Sequence, residues 1–150
     1  MTPRSRAREV ALQLLFERDH NAQPNRQEIE RFVEGRLREA RARQFCLKLY
    51  DGVAAHLGEI DQRLAAAADN WRLPRMATVD RNALRMGAFE VLFCPDTPPA
   101  VALDEIIELA RRFGSADSPA FVNGVLDRLR LTAAQPAVET PAVDATAPPS

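Results

Sequence analysis

Apolar residues recur along this chain at intervals of three and four, and no stretch sustains the period-two alternation of a strand. Ala7, Val10, Ala11, Leu14 and Leu15 form the first such stripe and predict a helix from about Arg4 to Asp19. Asn21 to Asn25, with Pro24 among them, break it. A polar helix carrying Ile29, Phe32 and Val33 is expected from about Arg26. Another is expected from Glu39 to His56, with Phe45, Leu49 and Val53 on one face and Gly58 as its stop. A short Ala-rich helix should span Asp61 to Asp69, and Pro74 marks a connection.

The second half repeats the pattern. Thr78 is placed as N-cap of a helix bearing Val79, Ala83, Met86 and Glu90, with Leu84, Val91 and Leu92 widening its apolar face. The three prolines between Cys94 and Pro99 make a turn. Val101 to Phe113 is periodic through Leu103, Ile106, Ile107 and Ala110, and stops at Gly114, read as a C′ residue. Ser118 and Pro119 form an N-cap and N1 pair opening a last helix with Val122, Val125, Leu126 and Leu129 inward. The reading is an all-α bundle of about seven helices over residues 1–132. Residues 133–150 hold four prolines and no aromatic residue, too little apolar surface to offset ordering entropy, and are expected to be a disordered tail.

Composition narrows the chemistry. A formal net charge of −1 excludes coating nucleic acid by bulk charge, so any anionic partner must meet a local basic patch. Nineteen arginines stand against one lysine, Lys48. Arg suits phosphate forks and base stacking, although codon usage in a GC-rich genome explains the ratio equally well. Cys46 and Cys94 lie far apart, without CxxC spacing or a neighbouring His, so neither a metal site nor a disulfide framework is indicated. No apolar run reaches membrane-spanning length and the N-terminus lacks an apolar core, so the chain is expected in the cytoplasm.

Three features bear on function. Arg4, Arg6 and Arg8 precede the first acid, Glu9, and Arg8 and Phe16 fall about 80° apart around the helix. An aromatic ring among guanidinium groups suits single-stranded RNA, because bases stack on rings while Arg meets phosphate. Spacing alone favours a solvated basic terminus with Phe16 widening the core face. The second feature, RRFGSADSPAFVN at Arg111 to Asn123, sets Phe113 and Phe121 on either side of a loop containing Asp117. The rings can clamp bases and Asp117 can accept from a base amino group, or both rings pack inward and Asp117 caps. The third, Asp104, Glu105 and Glu108, could imitate an acid/base pair. No metal, cleft or Ser-His, Cys-His, GxSxG or P-loop pattern accompanies it, and a solvated face is the better account.

RSRAREVALQLLF at residues 4–16, Asn70–Trp71 with the following RMATVDRNALRMGAFE, VALDEIIELARRFG at 101–114 and FVNGVLD at 121–127 occur in one order. Together they resemble the NusB family of bacterial transcription antitermination factors. The resemblance implies two small helical subdomains, recognition of boxA-type single-stranded RNA from ribosomal RNA operons, pairing with the ribosomal protein NusE, and entry into the RNA polymerase elongation complex. It assigns RNA contacts to Arg4, Arg6, Arg8, Phe16, Phe113, Asp117 and Phe121, and a partner surface to Asp80 and Arg81. It implies no catalysis, cofactor, small-molecule substrate or membrane. Ser5 stands where relatives often carry another Arg, Phe16 at the position of the usual Tyr, and Asp104 where NEA is typical. Two rival readings are an accessory domain like that preceding some ribosomal RNA cytosine methyltransferases, and a helical adaptor that contacts only proteins. The first lacks a SAM-binding βαβ pattern or catalytic Cys motif in this sequence.

Overall fold

The computed structural model describes residues 2–21, 24–69 and 72–133. The Asn70–Trp71 motif and the expected tail beyond Ala133 lie outside the described residues. Seven α-helices follow one another: α1 (Pro3–His20), α2 (Arg26–Arg36), α3 (Ala40–Ala55), α4 (Leu57–Ala67), α5 (Thr78–Phe93), α6 (Pro99–Phe113) and α7 (Ser118–Ala133). A single 3-10 turn, Leu73–Arg75, precedes α5, and there is no strand among the described residues.

Local chemistry sets the ends. Thr2 caps α1 by accepting the Ser5 N–H at 3.0 Å, and Pro3 occupies a position whose missing N–H costs nothing. The Asn25 side chain accepts from the Gln27 and Glu28 N–H groups and starts α2. Three expectations about ends change, while α6 stops at Gly114 as expected. Thr78 is the first residue of α5, and Ala77 holds the cap position without a side-chain bond. Ser118 is the first residue of α7, and its buried hydroxyl accepts the Ser115 N–H at 2.9 Å, tying the loop to the helix it precedes. Gly58 stops nothing: His56 caps both α3 and α4, and α4 begins at Leu57, four residues before the expected start. Gly114 has extended backbone (φ −97°), and what it needs is space, because a Cβ there would collide with Ser118 and the Ala110 carbonyl.

The helices form two groups over one continuous core. In the first, α1 packs along α3, with α2 against both; in the second, α5, α6 and α7 pack on one another and α4 lies on α5 and α7. The groups join where α1 and α3 meet α5. Leu15, Leu49, Leu84, Ile106 and Leu126, one from each of α1, α3, α5, α6 and α7, are fully buried. Each such side chain contributes about 1.5–3 kcal/mol. A Cβ on Gly52 of α3 would run into the Phe89 ring of α5, so the two groups approach closely only because position 52 has no side chain. Both thiols are buried. Desolvation pushes Cys46 up to about 12 and Cys94 above its ordinary value, which makes them inert packing groups.

Candidate nucleic-acid interface

The N-terminal half of α1 faces two ways. On its inner side Arg8 is 3% exposed, and Glu90 of α5 is fully buried. Arg8 Nε donates to Glu90 Oε2 at 2.8 Å and Nη2 to Oε1 at 2.9 Å, a bidentate pair inside the protein. Arg8 Nη1 also lies 3.5 Å from Glu105 Oε1 on α6. The expectation that Arg8 offers its charge to RNA is therefore corrected, because its guanidinium is already spent on two carboxylates away from solvent. Asp104 and Glu108 are exposed as expected, whereas Glu105, with a third of its side chain exposed, is tied to α1. It also accepts the Ser5 hydroxyl at 2.6 Å, so Ser5 anchors α1 to α6.

On the outer side Arg6, with its side chain 41% exposed, pairs with Glu9 at 2.8 Å. Glu9 also lies 3.2 Å from Arg112 Nη1 near the end of α6. Arg4 is exposed and lays its guanidinium over the Phe45 ring of α3 at 4.2 Å. The basic terminus is thus two arginines wide rather than three.

Phe16 is 37% exposed and Phe113 44%, an unusual disposition for rings in a domain with so complete a core. The two line one cleft of about 200 Å³, between α1 and the C-terminal end of α6, with Glu9, Leu12, Gln13 and Val79. Arg112 sits 4.8 Å from the Phe113 ring centre. A cleft with ring walls, a carboxylate and amide on its rim and Arg6 and Arg112 beside it has the parts to seat an unstacked base and hold the adjoining phosphates.

The loop before α7 behaves differently from its expected clamp. Asp117 is exposed, and its carboxylate has no hydrogen bond or ion pair among the described residues; its carbonyl accepts the Phe121 N–H at 3.1 Å. Phe121 is half-buried and packs on the core. Phe113 therefore shares its cleft with Phe16, from the other end of the chain. Sequence reasoning missed Gln13 and Arg112. Gln13 lies one turn from Glu9 and Phe16 on α1, a periodicity visible in retrospect.

The expected partner surface is also tied inward. Asp80 is buried, with Oδ1 lacking a hydrogen bond among the described residues. Arg81 donates to Asp19 Oδ2 at 2.9 Å and to the Leu73 and Met76 carbonyls. Asp19 at the end of α1 also receives Asn82 at 2.9 Å and Arg85 at 3.2 Å, and Arg85 continues to Asp61 of α4. Burial alone would raise the Asp19 carboxyl, but the bonds from Arg81 and Asn82 and the charges of Arg85 and Arg81 hold it below the ordinary carboxylate range. This network fastens α1, α4 and α5 together. Among the described residues no group of His, Cys, Asp and Glu has metal-binding geometry, and no helix is long and apolar enough to cross a membrane.

Comparison with known proteins places the chain in a family. The NusB family profile matches residues 5–130. The transcription antitermination protein NusB of Sorangium cellulosum is 44% identical over 129 residues, covering 86% of this chain and 92% of that protein. The protein of the same name from Trichlorobacter lovleyi is 44% identical over 126 residues, covering 84% and 89%. Among solved structures, T. maritima NusB superposes with a TM-score of 0.77 at 34% identity, over 87% of this chain and 92% of that one. A crystal structure of antitermination factors NusB and NusE in complex with dsRNA superposes with a TM-score of 0.79 at 27% identity, over 88% and 98%.

Proposed function

The chain belongs to the NusB family, and from that membership we propose that it is a cytoplasmic antitermination factor that binds boxA-type single-stranded RNA of ribosomal RNA operons. It does so together with NusE, and the complex joins the RNA polymerase elongation complex. The chain acts by binding alone.

The observation that carries this reading is the cleft between Phe16 and Phe113. Two rings exposed at 37% and 44% keep apolar surface in water, and a base free of its partner strand can stack on such a surface. That favours single-stranded RNA here, although the solved NusB–NusE relative carries dsRNA. Arg6 supplies phosphate contact, with Arg4 beside it. Asp117, exposed and without a carboxylate partner among the described residues, accepts from a base amino group in this reading. Phe121 supports the loop from below, a positioning role. Arg81 braces the surface offered to NusE by holding the end of α1 to α5.

The test is fluorescence anisotropy with a labelled boxA-type RNA and a scrambled RNA of equal length, with and without NusE. The proposal expects preference for the boxA-type sequence and tighter binding when NusE is present. Equal affinity for both RNAs under both conditions would refute it.

A further inference from the structure

A second charged surface begins where the proposed RNA site ends. An open groove of about 690 Å³ lies between the start of α1 and the exposed side of α3, lined by Arg4, Arg41 and Lys48 over Phe45. A smaller hollow of about 170 Å³ adjoins it, lined by Arg6, Arg36 and Arg38. Both are bordered by Thr2, Pro3, Glu39 and Ala42, so they form one strip that passes over the first turn of α1. Six cations and a single carboxylate, the exposed Glu39, line it. In a chain of net charge −1 that is a strong local excess.

The cations are available. Among the described residues no carboxylate pairs with Arg4, Arg36, Arg38, Arg41 or Lys48, whereas Arg26, Arg81, Arg85, Arg111 and Arg130 each have one. The first turn of α1 carries no acidic residue and its cap is Thr2, so the positive end of that helix dipole adds to the strip, whereas α3 has Glu39 at its cap position. The turn that presents these side chains is held in place: Arg43 Nη1 donates to the Leu37 and Arg38 carbonyls at 3.0 and 2.6 Å.

We infer that this strip carries the phosphodiester backbone of RNA beyond the base-reading cleft, so that the footprint on the chain extends past the recognised motif onto α2 and α3. This rests on the RNA-binding function proposed above. Arg6 belongs to both surfaces, lining the hollow and pairing with Glu9 on the rim of the Phe16–Phe113 cleft. From Arg4 to Phe16 is about 18 Å along the helix, a distance a few nucleotides can bridge. The strip also lacks what a protein partner needs. The aromatic ring lining it, Phe45, is buried and covered by Arg4 at 4.2 Å, leaving charge without an apolar anchor. Such a surface adds affinity without reading sequence.

The test uses a boxA-type RNA alone and the same RNA extended by uridines at both ends, titrated at several salt concentrations. The native chain should bind the extended RNA more tightly and with a steeper salt dependence. The triple variant Arg38→Ala/Arg41→Ala/Lys48→Ala alters only exposed side chains and should keep its thermal midpoint. It should flatten the slope for the extended RNA by about 0.7 for each cation removed and leave the short RNA unchanged. Equal binding of both RNAs by the native chain, or an unaltered slope in the triple variant, overturns the strip while leaving the cleft standing. A triple variant that loses NusE but binds extended RNA normally assigns the strip to protein and also overturns it. If the native chain fails to bind the short RNA at all, the failure belongs to the proposed function itself.

Discussion

Arg8 and Glu90, 82 positions apart in the chain, form a bidentate ion pair in the interior, with donor–acceptor distances of 2.8 and 2.9 Å. A buried pair of this kind adds little by itself compared with an apolar substitute, but breaking it leaves one charge stranded. Arg8→Ala should therefore cost about 3–5 kcal/mol in denaturant unfolding, as should Glu90→Ala. The double variant Arg8→Met/Glu90→Leu should recover most of the loss. Singles that unfold at the native denaturant midpoint would mean the pair carries no structural weight.

Arg6 makes the opposite prediction. Its side chain is exposed and its one ion pair among the described residues, to Glu9, lies near the surface, so Arg6→Ala should change stability by less than about 1 kcal/mol. The same substitution should flatten the plot of log affinity for RNA against log salt by about 0.7. A slope equal to that of the native chain would make Arg6 a solvated residue only.

Acid should weaken the fastening around Asp19. Its carboxyl is held below the ordinary range, so its contribution is fully present above the unfolded value, near 3.9, and is lost as pH falls through the lower folded value. Asp19→Asn should cost about 1–3 kcal/mol at pH 7 through the unmatched guanidinium groups of Arg81 and Arg85. The gap between native and variant stability should narrow only below about pH 4. A gap that closes already between pH 7 and pH 5 would point to another group.

Gly114 offers a steric test that is independent of charge. A side chain there meets Ser118 and the Ala110 carbonyl, both held by their own helices, so Gly114→Ala should destabilise by about 1–3 kcal/mol through overpacking. Pairing it with Ser118→Ala should restore part of the loss, measured as a thermal midpoint. Gly58→Ala, where nothing lies near the added carbon, should be neutral or stabilising.

The helices were legible because their apolar stripes have the helical period, and every stripe residue on α1 and α7 named from the sequence is buried. The ends were less so. Thr78 and Ser118 carry good capping side chains, but capping is decided by where the backbone turns, which neighbouring helices set. Arg8 was misread for a similar reason: angular position around a helix says which side a residue takes, and nothing about a distant Glu90 covering that side. Phe16 and Phe113 were each legible as candidate rings, yet their meeting in one cleft depends on how α1 crosses α6. The basic strip escaped because residues 19–61 match no motif; the recurrence Arg36, Arg38, Arg41, Arg43 around one turn was the available signal.

If Phe16 and Phe113 are kept at the surface to stack RNA bases, the double variant Phe16→Ala/Phe113→Ala must lose affinity for a boxA-type RNA. Stacking contributes about 1–3 kcal/mol per base, so affinity should fall by tenfold or more. The thermal midpoint should scarcely move, because both rings are more than a third exposed. A large fall in thermal midpoint with native affinity in the folded fraction, or an unchanged affinity in a fully folded variant, would mean that the two rings do not stack RNA bases.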